Sequence, residues 1–155
     1  MHIRPITDDD IPAVAALMRG LSEEYIVHDC SVASAASFVR ENDEAGLRSF
    51  IRAGMAYHVA EQDGQILGFI AVREYKHLLH MFVDKQHHRR GIASALWAVA
   101  RQAAIDAGNP GEYTVNSSNY AVPVYKAMGF VQTEPTQCKN GIYFNPMRLD
   151  ERHGD

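Results

Sequence analysis

The stretch from His77 to Trp97, HLLHMFVDKQHHRRGIASALW, does most to limit what this chain can become. An apolar run of strand length ends at Asp84, a basic segment leads to Gly91, and Ala93, Ser94, Ala95, Leu96 and Trp97 then read as a helix. The charge of Arg89 and Arg90 thus falls where a helix begins. First-turn N–H groups have no intrahelical partner there, and the positive end of the helix dipole points outward, so the place binds anions. Gly91 lets the backbone approach a ligand with no side chain in the way, and Ile92, Ala93 and Ser94 carry the next amides. A pyrophosphate satisfies both the amides and the two guanidinium groups better than a lone carboxylate does. Taken alone, the same loop also reads as a solvated turn closed by glycine.

The rest of the composition narrows the setting of that loop. At 155 residues, 46% hydrophobic and 22% charged, the chain is expected to form a single domain, residues 1–155, with its own core. A net charge of -4 makes the basic cluster a local feature and argues against nucleic acid or an anionic membrane as partner. Cys30 and Cys138 lie too far apart to suggest a redox or zinc pair, and no metal-specific spacing of histidines is found. With no signal-like start and no apolar run approaching ~18 residues, a cytoplasmic protein is expected.

Period and turn signals give the element order. HIRPIT reads as a strand, and Asp8, Asp9 and Asp10 open a helix carrying Ile11, Val14, Leu17 and Met18. Helical spacing resumes from Ser31 to Ala53, with Gly46 expected as a break. MAYHVAE and QILGFIAVREY form a hairpin about Asp63-Gly64, and a second turn leads into HLLHMFVD. After the helix ending near Gly108 come the strand GEYTVNSS, a short helix YAVPVYKAM closed by Gly129, and two tail strands around KNG. The expected fold is α/β (α+β), a mixed and mostly antiparallel sheet in the order β-α-α-β-β-β-α-β-α-β-β, with a ligand beyond the C-terminal end of HLLHMFVD.

Two motifs at this separation give the chain a resemblance. HRRGIA, His88 to Ala93, resembles the acetyl-CoA loop of the GNAT superfamily of N-acetyltransferases, Gln/Arg-x-x-Gly-x-Gly/Ala, with His88 in place of the usual Gln or Arg. VNSSNYAVPVYKAMGF is similar to that family's second hallmark through Asn116, Tyr125, Gly129 and Phe130, with Ser118 where Asn is common. The resemblance covers nearly the whole chain. It implies acetyl-CoA as co-substrate and transfer of an acetyl group to a primary amine of a small molecule or peptide; on the histidine spacing, no metal is expected. A non-catalytic acyl-CoA-binding sensor is the alternative, and pairing of two copies through sheet edges is possible.

The resemblance also distributes roles. The backbones of Met81, Phe82 and Val83 are expected to pair with the pantetheine arm as an added strand, and His88, Arg89, Arg90, Gly91, Ile92, Ala93 and Ser94 to hold the phosphates. Tyr125 is the expected proton donor to the departing thiolate, on the ground that its ordinary pKa is ~10 against ~8.5 for a thiol. Asn116, at a strand end, offers a donor and an acceptor to pantetheine or the amine. His77, His80 and Glu74 are candidate bases; the two histidines, three apart, face opposite ways unless a bulge intervenes. Glu23, Glu24, His28, Asp29 and Tyr143 are polar groups that could receive the amine.

Overall fold

The computed structural model describes residues 1–25, 43–88, 90–139 and 142–152, with side chains given for all of these except 23–25. Its strands are β1 (His2–Pro5), β2 (Ala56–Gln62), β3 (Gln65–Arg73), β4 (His77–Val83), β5 (Glu112–Ser117), β6 (Val131–Gln132), β7 (Gln137–Lys139) and β8 (Ile142–Asp150). The helices are α1 (Ile11–Tyr25), α2 (Glu44–Arg52), α3 (Ile92–Asp106) and α4 (Val122–Ala127). One sheet runs β1-β2-β3-β4-β5-β8-β6, with β7 on β8. Every pairing is antiparallel except β4 with β5. The mixed, mostly antiparallel architecture expected from the sequence is the one found, with β6 as an added strand.

Local chemistry accounts for the turns. Asp63 and Gly64 both adopt positive φ, 53° and 78°, which matches the twist of the β2–β3 hairpin. The acidic trio forms a short 3₁₀ turn ahead of α1, in which Asp10 accepts from the Thr7 backbone at 2.8 Å and from Arg4 at 2.6 Å. Gly46 does not break a helix: α2 starts at Glu44, and the Gly46 N–H donates to the Asp43 carboxylate at 2.9 Å, an N-terminal cap.

Each face of the sheet carries its own core. Below it, α3 buries Ile92, Leu96, Trp97 and Ala100 against Ile70, Val72, Leu78, Tyr113 and Val115. Above it, α1 and α2 set Ile11, Val14, Met18 and Leu47 over Tyr57, Val59, Phe69 and Ala71. Trp97 meets Tyr113 edge-on at 5.0 Å and Phe130 at 5.6 Å, which ties α3 to the chain segment after α4. The β4–α3–β5 crossover is thereby anchored at both ends, which holds the start of α3 at the mouth of the sheet.

Candidate active site

The parallel contact between β4 and β5 is short. Only His77 with Thr114 and Leu78 with Val115 pair, and beyond them the strands part. The opening is a cavity of about 460 Å³ walled by Leu79–Val83 on one side and by Val115–Ser118, Tyr120, Ala121, Val124 and Tyr125 on the other. Since β4 bonds to β3 along its other edge as far as Val83, alternate backbone groups of Leu79–Val83 face the gap with no strand opposite them. An extended, amide-bearing ligand arm is what such an edge can pair with.

The basic loop closes the end of the gap. Gly91 is the N-cap of α3 at φ 75° and ψ 12°, a left-handed conformation that favours glycine, and a Cβ there would meet nothing within 4 Å. Open space beside free first-turn amides fits an anionic group. His87, His88, Gly91, Ile92, Ala93 and Ser94 all line the cavity. His88 also works inward: its Nε2 lies 2.8 Å from the Val83 carbonyl, and because a carbonyl only accepts, the ring donates and pins the loop to the end of β4. Arg90 is exposed, donates to His87 Nδ1 at 2.8 Å, and is not on the wall. Arg89 lies outside the described residues.

Of the candidates for proton chemistry, Tyr125 and Asn116 share this cavity. Tyr125 is only 4% exposed and packs edge-on to Phe130 at 5.6 Å; burial pushes its phenol above the ordinary value. The expected proton order fails even before burial is considered. Transfer from a phenol of ~10 to a thiolate of ~8.5 is already uphill by roughly 2 kcal/mol, and burial steepens it. Tyr125 can donate a hydrogen bond but is a poor source of a whole proton.

A bulge decides the histidines. Val72 pairs with Leu78 but Ala71 with His80, so Leu79 is an extra residue on β4. His77, opposite Arg73, and His80, opposite Ala71, therefore share the α1–α2 face. Only His80 reaches the cavity wall. Burial, with His77 nearby, depresses His80 to about 4, and its Nδ1 is sealed without a partner. His77 turns aside, with Nδ1 2.8 Å from the Thr114 hydroxyl. Glu74 sits in the β3–β4 turn at φ 54°, exposed and off the wall. Its place as a neighbour of β4 in sequence put it at the wrong end of the strand. Tyr143 is exposed on β8 and also off the wall, while His28, Asp29 and the side chains of Glu23 and Glu24 lie outside the described residues.

Leu21, the first residue of the segment from Leu21 to Ala53 expected to hold the amine, is on the wall, whereas sequence reasoning passed over Tyr120 and Val124 on the wall and Asn145 behind it. Asn145, 3% exposed, donates to the Ser117 carbonyl at 3.1 Å and to Asn119 at 2.9 Å, and accepts from Thr136 at 2.6 Å. Its partners lie up to 28 residues away, which no local pattern reveals. Among the described residues no three His, Cys, Asp or Glu side chains gather as a metal site, and no helix is long and apolar enough to cross a membrane.

Known proteins share this fold. A family model described as "Acetyltransferase (GNAT) domain" matches residues 26–151. N-acetyltransferase family 8 member 2 of Rattus norvegicus is 32% identical over 97 residues, 56% of this chain but only 43% of that relative's length. The chain thus matches less than half of the curated relative. Among solved structures, a GCN5-related N-acetyltransferase from Rhodopseudomonas palustris superposes with a TM-score of 0.78 at 22% identity, covering 96% of this chain and 94% of its own. PaiA N-acetyltransferase from Thermoplasma acidophilum, solved in complex with coenzyme A, gives 0.79 at 16% identity, with coverage of 96% and 98%. At such identities the two structures speak for the fold.

Proposed function

The chain belongs to the GNAT acetyltransferase family, and on that premise we propose that it transfers the acetyl group of acetyl-CoA directly to the primary amine of a small molecule or peptide. The observation that carries the reading is the continuity of the β4 edge, unpaired from Leu79 to Val83, with the left-handed Gly91 cradle of α3 in one cavity. The edge suits a pantetheine arm and the cradle a pyrophosphate. Acetyl-CoA would supply a thioester, whose acyl carbon an unprotonated amine can attack.

The chain's own residues then position and polarise. Main-chain N–H groups of the β4 edge would donate to the developing oxyanion. Tyr125 supports the leaving sulfur by hydrogen bonding, while the proton that the thiolate finally takes comes from the amine, made strongly acidic by attack. His80, neutral above about pH 4, is too weak a base to take and keep the amine's proton. No single general base is part of this reading. An acyl-enzyme route is not part of it either: Cys138 is exposed on β7, off the wall, and Cys30 lies outside the described residues. A cytoplasmic location, where an exposed thiol stays reduced, and pairing of two copies complete the proposal.

Release of free CoA thiol from acetyl-CoA across a panel of amines tests it, beside Tyr125→Phe and a direct measurement of acetyl-CoA binding. We expect thiol release with at least one amine class, and roughly tenfold lower kcat in Tyr125→Phe with acetyl-CoA affinity retained. Binding without release for any amine would establish the sensor instead, and absence of binding would refute both.

A further inference from the structure

Resting on that reading, the acceptor can be described more closely, because the parting of β4 and β5 opens the sheet from one face to the other. Met81 and Val83 pack with the α3 core, whereas Leu79 and Phe82 pack with the α1–α2 core, and all four line the same cavity. Leu21 of α1 lines it too. The anion cradle lies at the start of α3, so the end open to α1 is where a second substrate meets the thioester.

That end is built of apolar and aromatic groups. Leu21, His80 and Phe82 form it; Phe50 of α2 backs His80 at 6.3 Å between ring centroids, and Phe69 backs Phe82 at 5.7 Å. His80 and Phe82 themselves lie 6.2 Å apart. Among the described residues the polar groups of this end are the His80 imidazole, which is neutral, and Asn116, which faces away from the α3 side because Val115 before it packs there. Around the entire cavity the described wall includes no Asp, Glu, Lys or Arg.

We infer that the acceptor is an amine carried on an aryl or other apolar body. An apolar body gains by leaving water for these walls, and a ring can stack against Phe82 and His80. A second ammonium would be desolvated among them, where no described residue of the wall offers a carboxylate. In the transfer, the amine nitrogen bonds to the acetyl carbon, the carbon–sulfur bond breaks with its electron pair leaving on sulfur, and one amine proton ends on the CoA thiol.

The test compares 2-phenylethylamine with 1,4-diaminobutane as acceptors for the full chain, by thiol release at fixed acetyl-CoA. We expect kcat/KM to favour phenylethylamine at least tenfold. In His80→Glu, which sets a carboxylate on the wall, that ratio should fall at least fivefold whatever the absolute rate. A measurement on the unaltered chain stands beside it: in the presence of CoA, N-acetylphenylethylamine should inhibit at a tenfold lower concentration than N-acetyl-1,4-diaminobutane. Equal or better use of the diamine would overturn this inference and leave acetyl transfer standing. Silence with every amine, in a protein that binds acetyl-CoA, would remove the enzyme reading and this inference together.

Discussion

The two strands that part at the cavity are held in place by opposite means. Val83, the last residue of β4, lies opposite Gly68 of β3, and Ser117, the last of β5, lies opposite Asn145 of β8. At Gly68 a Cβ would come 2.8 Å from the Phe82 carbonyl oxygen and 3.2 Å from Val83 Cα, so β4 is placed by the absence of a side chain. Asn145 places β5 by the presence of one, through hydrogen bonds to Ser117, Asn119 and Thr136. Backbone contact fixes the wall that would hold the donor, and side-chain bonding fixes the wall that bears Tyr125 and Asn116. One wall should therefore fail when atoms are added, the other when bonds are removed.

The sharpest break is at Gly68. Its φ is ordinary, so the cost of a side chain there is contact alone, against backbone atoms that cannot swing aside. Gly68→Val should lower stability by about 3 kcal/mol, the upper end for overpacking, and weaken acetyl-CoA binding along with it. The urea midpoint checks this; an unchanged midpoint would mean that β4 is not held by close approach. Next comes Asn145→Ala, which strips both donated bonds and leaves the Ser117 carbonyl short of a partner. We expect a loss of roughly 2 kcal/mol, and a greater fraction recovered by Asn145→Ser than a cavity alone would allow. Full stability in the alanine variant would dissolve the contrast between the walls.

How much of this could be read beforehand follows the same division. Gly91 was legible, because a glycine between a basic run and a helix has few other uses, and so was the Asp63-Gly64 turn. Gly68 looked like any small residue in a β-rich run, since close approach depends on the partner strand. The Leu79 bulge was undetectable from spacing, yet it alone puts His77 and His80 on one face. Tyr125 is legible through its surrounding motif; its weakness as a proton source follows from the ordinary pKa values, and the burial that deepens it is not encoded in the motif. Asn145 stood unmarked inside IYFNPMRLD because a strand residue declares its hydrogen bonds only when sequence-distant partners arrive. Side-chain identity at turns and caps is a local signal; register is not.

Acid should separate the two walls by the smallest and most specific effect. On the β2–β4 side, His58, His77 and His80 are all depressed by burial, His80 to about 4 from 6.5. A histidine with a lowered pKa binds fewer protons folded than unfolded, so folding stability rises with pH across the interval between the two values. Falling pH thus destabilises this side from about 6.5 downward, and His80 alone accounts for about 1 kcal/mol between pH 7.5 and 5.5. On the β5–β8 side the group whose shift bears on acid is Asp150, held below the usual carboxylate range by Arg152, and its contribution is present above 3.8 and fades only at lower pH. Hydrogen exchange at pH 5.5 against 7.5 should therefore show amides of β4 losing protection while those of β5 and β8 keep theirs, after correction for intrinsic exchange rates. His80→Gln should shrink that difference. If both strands lose protection together, the walls open as one unit, and the short two-pair contact between β4 and β5 couples them more tightly than its length suggests.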